Sequence, residues 1–178
     1  YNEVNTEAVI QGETESIRNF VGELALEARS FYYEKLSNND QCIWFYGPDY
    51  DKSGLTADYC YYFLLRENDT NIVRYGKFSE KLKNTETGVI EQNPDLVVNG
   101  HFIADELGEG ESYDYLTLLE TTGRDSCIHG DKYALLAQYV ANMECVGSNG
   151  LITVTLKLNY NDTTSDKTLV FAGRNLKK

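Results

Sequence analysis

The sequence predicts an α+β fold in which a long N-terminal α-helix packs on an antiparallel β-sheet, a roll. Three observations predict it: a heptad stripe at the start of the chain, two-residue alternation after residue 40, and polar turns that divide that alternation into hairpins. The stripe is Ile10, Thr14, Ile17, Val21, Leu24, Ala28 and Phe31, spaced by four and three, which makes one seam on a helix. Laying the apolar face of a sheet across that seam is the natural way to bury both.

The helix is expected over residues 3–36, ending where Ser37, Asn38, Asn39 and Asp40 supply turn chemistry. Gly12 and Gly22 each cost it about 1 kcal/mol relative to Ala, so it needs tertiary support. Such a helix is about 50 Å long, and its apolar seam spans only about 30 Å. Upstream the seam meets Glu7 and Glu3. The helix is therefore expected to outrun the surface it covers and to pack on something else. Residues 1–36 read as an assembly helix and 37–178 as a β-rich globular head.

In the head, Cys42–Gly47 reads as a short aromatic strand. Tyr59–Arg66 and Asn71–Lys77 flank the polar turn Glu67-Asn68-Asp69-Thr70 and read as a hairpin. The polar stretch Lys77–Asn93 reads as a long surface loop. Leu96–Ile103 and Tyr113–Glu120 are weaker strands, and Tyr133–Val140 fits a short helix or a strand. The clearest strand is Leu151–Leu158: Ile152, Val154, Leu156 and Leu158 share one face, and Thr153, Thr155 and Lys157 the other. A turn of Asn and Asp residues follows, and Thr168–Ala172 returns.

The chain has 178 residues, 42% hydrophobic and 25% charged, a globular composition long enough for one core. Its 28 Asp and Glu outnumber 16 Lys and Arg, for a net charge of −12. That surface repels phosphate backbones, so no nucleic-acid partner is expected. No stretch has the apolar length of a membrane span. Position 1 is Tyr and not Met, so a mature or trimmed product is expected.

Four cysteines, no CxxC pair, 14 Tyr and a single Met favour an exported protein with two disulfides. Cys42 and Cys60 are 18 apart, as are Cys127 and Cys145. Of the three pairings four cysteines allow, the local one, Cys42–Cys60 with Cys127–Cys145, is preferred because each bridge would tie neighbouring strands. Buried thiols packed as small hydrophobes are the alternative.

Residues 8–36, together with Ala134-Leu135-Leu136-Ala137, Leu151-Ile152-Thr153-Val154-Thr155-Leu156 and Phe171-Ala172-Gly173-Arg174-Asn175, resemble bacterial type IV pilins. Within that family the chain is most similar to minor pilins and type II secretion pseudopilins. The resemblance implies a soluble fragment that begins midway down the pilin helix, after the apolar half. It also implies a non-enzymatic subunit, membrane-anchored before assembly, then built into an extracellular cell-surface filament by packing of N-terminal helices against other pilin subunits. A host or surface receptor would be a further partner.

Asp49-Tyr50-Asp51-Lys52-Ser53-Gly54 matches the opening of a calcium loop, with oxygens at one, three and five and Gly at six. Asp58 would contribute further along, but Cys60 stands where the loop should close on Glu. An ordinary Asp/Gly turn is the simpler reading. Zinc on Cys127, His129 and Cys145 matches no standard spacing. The two histidines, His101 and His129, come with no hydrolase signature or phosphate loop, so no enzyme and no resident cofactor are expected. Tyr32, Tyr33, Tyr46, Tyr59, Tyr61 and Tyr62 form an aromatic group that either packs on the helix or edges a binding surface. The second functional reading is accordingly a secreted adhesin-like module, calcium-dependent, using Tyr59–Tyr62 or the 77–95 loop.

Overall fold

The computed structural model describes residues 2–35, 38–48, 59–79, 81–83, 86–92, 97–98, 101–102, 134–174 and 176. One helix, α1 (Asn2–Glu27), precedes strands β1 (Ser30–Lys35), β2 (Gln41–Pro48), β3 (Tyr59–Arg66), β4 (Val73–Ser79), β5 (Lys81–Lys83) and β6 (Ile90–Gln92). Then come β7 (Val97–Val98), β8 (His101–Phe102), β9 (Ala134–Ala137), β10 (Val140–Ser148), β11 (Leu151–Tyr160) and β12 (Thr163–Ala172). A five-stranded antiparallel sheet has the order β1-β2-β3-β4-β9, and a three-stranded one β10-β11-β12. β5 with β6 and β7 with β8 form two short ladders inside stretches expected as a loop and a weak strand.

The fold is therefore mainly β, which corrects the expected α+β roll built on a long helix. The helix stops at Glu27 rather than residue 36. Ala28 N donates to Leu24 O at 2.9 Å, the last helical bond, and Arg29 N donates to Tyr46 O at 2.8 Å, handing the backbone to the sheet. Phe31-Tyr32-Tyr33 then follows β propensity and pairs with Phe45-Trp44-Ile43. Phe31 keeps the heptad spacing but reaches the core from an edge strand.

Local chemistry explains the turns. Asn149 and Gly150 have φ of 53° and 77°, and Asn161 and Asp162 have 48° and 59°. Two consecutive left-handed residues make a type I′ turn, whose twist matches the strands it joins. Ser148 thus pairs with Leu151, and Tyr160 with Thr163. On β11 the alternation holds: Ile152, Val154, Leu156 and Leu158 are buried, while Leu151, Thr155, Lys157 and Asn159 are exposed.

The helix passes from the β9 side of the five-stranded sheet towards β2, and four contacts mark its course. Glu13 Oε2 accepts from Gln138 N at 2.8 Å, just after β9. The Phe20 and Tyr75 rings lie 4.8 Å apart. A methyl on Gly22 would touch Phe171 at 3.6 Å, and one on Gly47 would touch the Ala28 backbone at 3.4 Å. Ile10, Ile17, Val21 and Leu24 enter one core with Ile43, Phe45, Leu64, Val154, Leu156 and Leu169. The opposite face of the five-stranded sheet, bearing Trp44, Phe63 and Leu65, is buried as well.

Candidate assembly surface

The stripe predicted for assembly is used inside the chain. Ile10, Ile17, Val21 and Leu24 are buried on α1, Ala28 is buried just past its end, and Phe31 is half-buried on β1. Thr14 fits the seam because its hydroxyl donates to Ile10 O at 2.8 Å. Upstream the buried line passes to Thr6, 6% exposed, and leaves Glu7 in solvent. The expected overhang is correspondingly short. The other face, with Glu7, Gln11, Arg18, Asn19, Glu23 and Leu26, is exposed along the helix.

A buried polar clasp joins the two sheets. Arg66, 4% exposed, ends β3. It donates from Nε to Val140 O at 2.8 Å, from one terminal nitrogen to Gln41 Oε1 at 3.0 Å, and from the other to Asn71 Oδ1 at 2.9 Å. Gln41 Oε1 also accepts from Met143 N at 2.8 Å, and its amide donates to Asn142 Oδ1 at 2.8 Å and to the Tyr33 hydroxyl at 3.0 Å. Val140 N in turn donates to Asn71 O at 2.9 Å, with Asn71 at a φ of 56°. The outer edge of β10 is thereby occupied by side chains of β2 and β3 instead of another strand. Burial lowers the Arg66 guanidinium, with Asp40 opposing. Burial raises the Tyr33 phenol, with the Gln41 hydrogen bond opposing.

The predicted Cys42–Cys60 bridge does not fit the register. Cys42 stands opposite Leu65 and Cys60 opposite Gly47. On adjacent strands they are offset by about 17 Å and point to opposite faces, whereas a disulfide needs Cα atoms within about 7 Å. Cys145 faces the core beside Val154, and burial pushes its thiol up to about 12. That favours the protonated thiol over the thiolate. Cys127 and His129 lie outside the described residues, as do Asp49, Asp51, Ser53 and Asp58 of the calcium motif. Tyr61 and Tyr62 are buried, and Tyr62 donates to Pro48 O at 2.9 Å, so these two rings belong to the interior and not to a binding surface.

Two surface features remain. The outer face of the three-stranded sheet carries the registered rows Ser148–Leu151–Ala172, Val146–Thr153–Val170, Glu144–Thr155–Thr168 and Asn142–Lys157–Asp166. The first two rows are uncharged, with Val146 63%, Val170 55% and Leu151 44% exposed. A cavity of about 600 Å³ opens at the same end, between Phe31, the Asn149-Gly150 turn and Leu176. Gly173 N donates to Gly150 O at 2.8 Å, so the C-terminal segment is pinned there.

No family model, characterised protein or solved structure matches the chain. Among the described residues no helix is long and apolar enough to cross a membrane, and no three of His, Cys, Asp and Glu converge on one point. Sequence reasoning missed the clasp and strand β10. The Asn149-Gly150 pair was the available signal for β10, because it marks a two-residue hairpin immediately before Leu151.

Proposed function

We propose that the chain is a non-catalytic structural subunit of a type IV pilus-like extracellular filament, of the minor pilin or pseudopilin kind. The observation that carries the reading is the helix itself. It precedes a β-rich body, buries its apolar seam there, and leaves the opposite, mostly polar face exposed from Glu7 to Leu26. That arrangement, with the sequence resemblance over residues 8–36 and 134–175, suits a subunit that meets its neighbours beside the helix.

Partners on this reading are other filament subunits, and the subunit is membrane-anchored before it is assembled. The test is to follow an epitope-tagged native gene product in its source cell. Recovery in filaments sheared from the surface, from a gene encoding about 20 apolar residues before Tyr1, is the expected result. A product confined to the cytosol, with no such segment encoded, would overturn the reading.

A further inference from the structure

We infer that Asn149-Gly150, the turn between β10 and β11, is a site of spontaneous deamidation, at which the folded chain converts its own asparagine through a cyclic imide. The inference stands apart from the filament reading. Two observations carry it, and a third supplies the control.

The first is access. Ring closure needs the Gly150 nitrogen to reach Cγ of Asn149, and a side chain on the following residue obstructs that approach. Glycine has none. Asn149 is exposed, and a methyl added at Gly150 would meet only Gly173 O, at 3.9 Å, apart from its chain neighbours. The ladder closes on Ser148 and Leu151, so strand pairing makes no use of the Gly150 N–H.

The second is conformation. The imide is a planar five-membered ring through Cα, Cβ and Cγ of Asn149, its main-chain carbonyl carbon and the Gly150 nitrogen. Such a ring holds ψ of Asn149 near about −120°, the value of the first corner of a type II′ turn, where φ is about 60°. Asn149 already has a φ of 53°. Rotating the one peptide plane between Asn149 and Gly150 turns type I′ into type II′. Gly150 then moves from a φ of 77° to about −80°, and glycine accepts both. The Gly150 carbonyl that holds Gly173 N belongs to the next peptide plane and can stay in place.

The control is Asn161-Asp162, an exposed turn of the same kind with φ of 48° and 59°. There the following residue carries a side chain. Asn99-Gly100 repeats the reactive pair but lies outside the described residues.

The step balances with water alone. A bond forms from Gly150 N to Cγ of Asn149 as the Cγ–Nδ2 bond breaks, and Nδ2 leaves as ammonia with the proton that Gly150 N gives up. Water then opens the imide. Attack at Cγ leaves an ordinary aspartyl residue, and attack at the main-chain carbonyl leaves an isoaspartyl link that runs the backbone through the side chain. Either product puts a carboxylate beside the rows Ser148–Leu151–Ala172 and Val146–Thr153–Val170, which carry no charge. The isoaspartyl form also adds a carbon to the backbone of a two-residue turn, and so disturbs the carbonyl that pins Gly173.

The test holds the folded chain in warm, mildly alkaline buffer, follows the fold by the fluorescence of buried Trp44, and maps peptides by mass at intervals. A urea-unfolded sample runs beside it. Progressive loss of the Asn149 amide in the folded chain is expected, read as exchange of an amino group for a hydroxyl, with no matching change at Asn161. Gly150→Ala, shown by its thermal melt to be folded, should lose the conversion. An intact Asn149 in the folded chain, after the unfolded chain has converted, would overturn the inference, because the turn would then protect the amide. Conversion of Asn161, or of Asn149 in Gly150→Ala, at the rate of Asn149 in the parent would overturn it too, since open access to the nitrogen would not then select the site.

Discussion

Arg66 donates its Nε proton to the carbonyl oxygen of Val140 across 2.8 Å, and that bond joins the end of one sheet to the beginning of the other. The guanidinium is planar and rich in donors, so it satisfies Val140, Gln41 and Asn71 together. A lysine has neither the fork nor the reach to do the same.

Arg66→Ala should therefore destabilise the chain by about 3 kcal/mol, because it leaves buried acceptors without donors. Arg66→Lys should recover only part of that loss. Urea unfolding followed by tryptophan fluorescence reads both, since Trp44 on β2 is buried. A change below about 0.5 kcal/mol for Arg66→Ala, the range of ordinary surface substitutions, would mean that the clasp does not hold the sheets.

Gly147 makes room for an aromatic ring. A methyl group added there would overlap the Phe31 ring. Gly147→Ala should cost about 1–3 kcal/mol through overpacking. In the Phe31→Ala background the same change should cost much less. A double-mutant cycle measures the coupling, and simple additivity would show that the ring does not rest on Gly147.

Cys145 should give the chain an alkaline weakness. Its folded pKa is raised to about 12 from an ordinary 9.0. Below pH 9 both folded and unfolded states keep the proton, and stability is unaffected. Between pH 9 and 12 the unfolded state releases a proton that the folded state retains, so stability falls by about 1.4 kcal/mol per pH unit. Unfolding midpoints measured from pH 8 to 11 check this, and Cys145→Ala should lower stability at pH 8 but remove this contribution to the alkaline slope, so that its deficit shrinks as pH rises.

Gly150→Ala should cost about 1 kcal/mol, because its φ of 77° is one that L side chains rarely adopt. The same change at Gly12, where nothing lies within 4 Å of an added methyl, should stabilise the helix by about as much. Paired thermal melts separate the two. Opposite signs are the expected outcome.

Much of the fold was legible from local signals. The alternation of Tyr59–Arg66 gives β3 with the same bounds, and that of Leu151–Leu158 lies within β11. The buried side of α1 was readable from Ile10 to Leu24 because a helix seam is a property of spacing alone. The end of the helix was not. Ala28 and Phe31 continue the heptad, yet they reach the core through a chain reversal that only pairing with β2 dictates. Upstream, Thr6 was missed because the alternating step of three from Ile10 lands on Glu7, whereas the buried line takes a step of four. The cysteine spacing misled for a related reason: equal steps along the sequence say nothing of strand register. The clasp was invisible because Arg66, Gln41 and Val140 come together only through tertiary structure. In the outer face of the last sheet, Val146 and Val170 read as ordinary strand formers until register placed them side by side.

The β10–β12 meander is closed by two two-residue turns, so its pairings form at little loop-closing cost. By contrast, Val73 of β4 must find Ala137 of β9 across a long stretch of intervening chain. Synthesis proceeds from the other end: the helix is made before every strand that covers its seam, and β11 and β12 are the last of those strands. Until Leu169 and Phe171 leave the ribosome, the amphipathic rod has no complete bed. A cell that makes this chain must therefore keep a sticky leading segment from wrong partners until translation is nearly over.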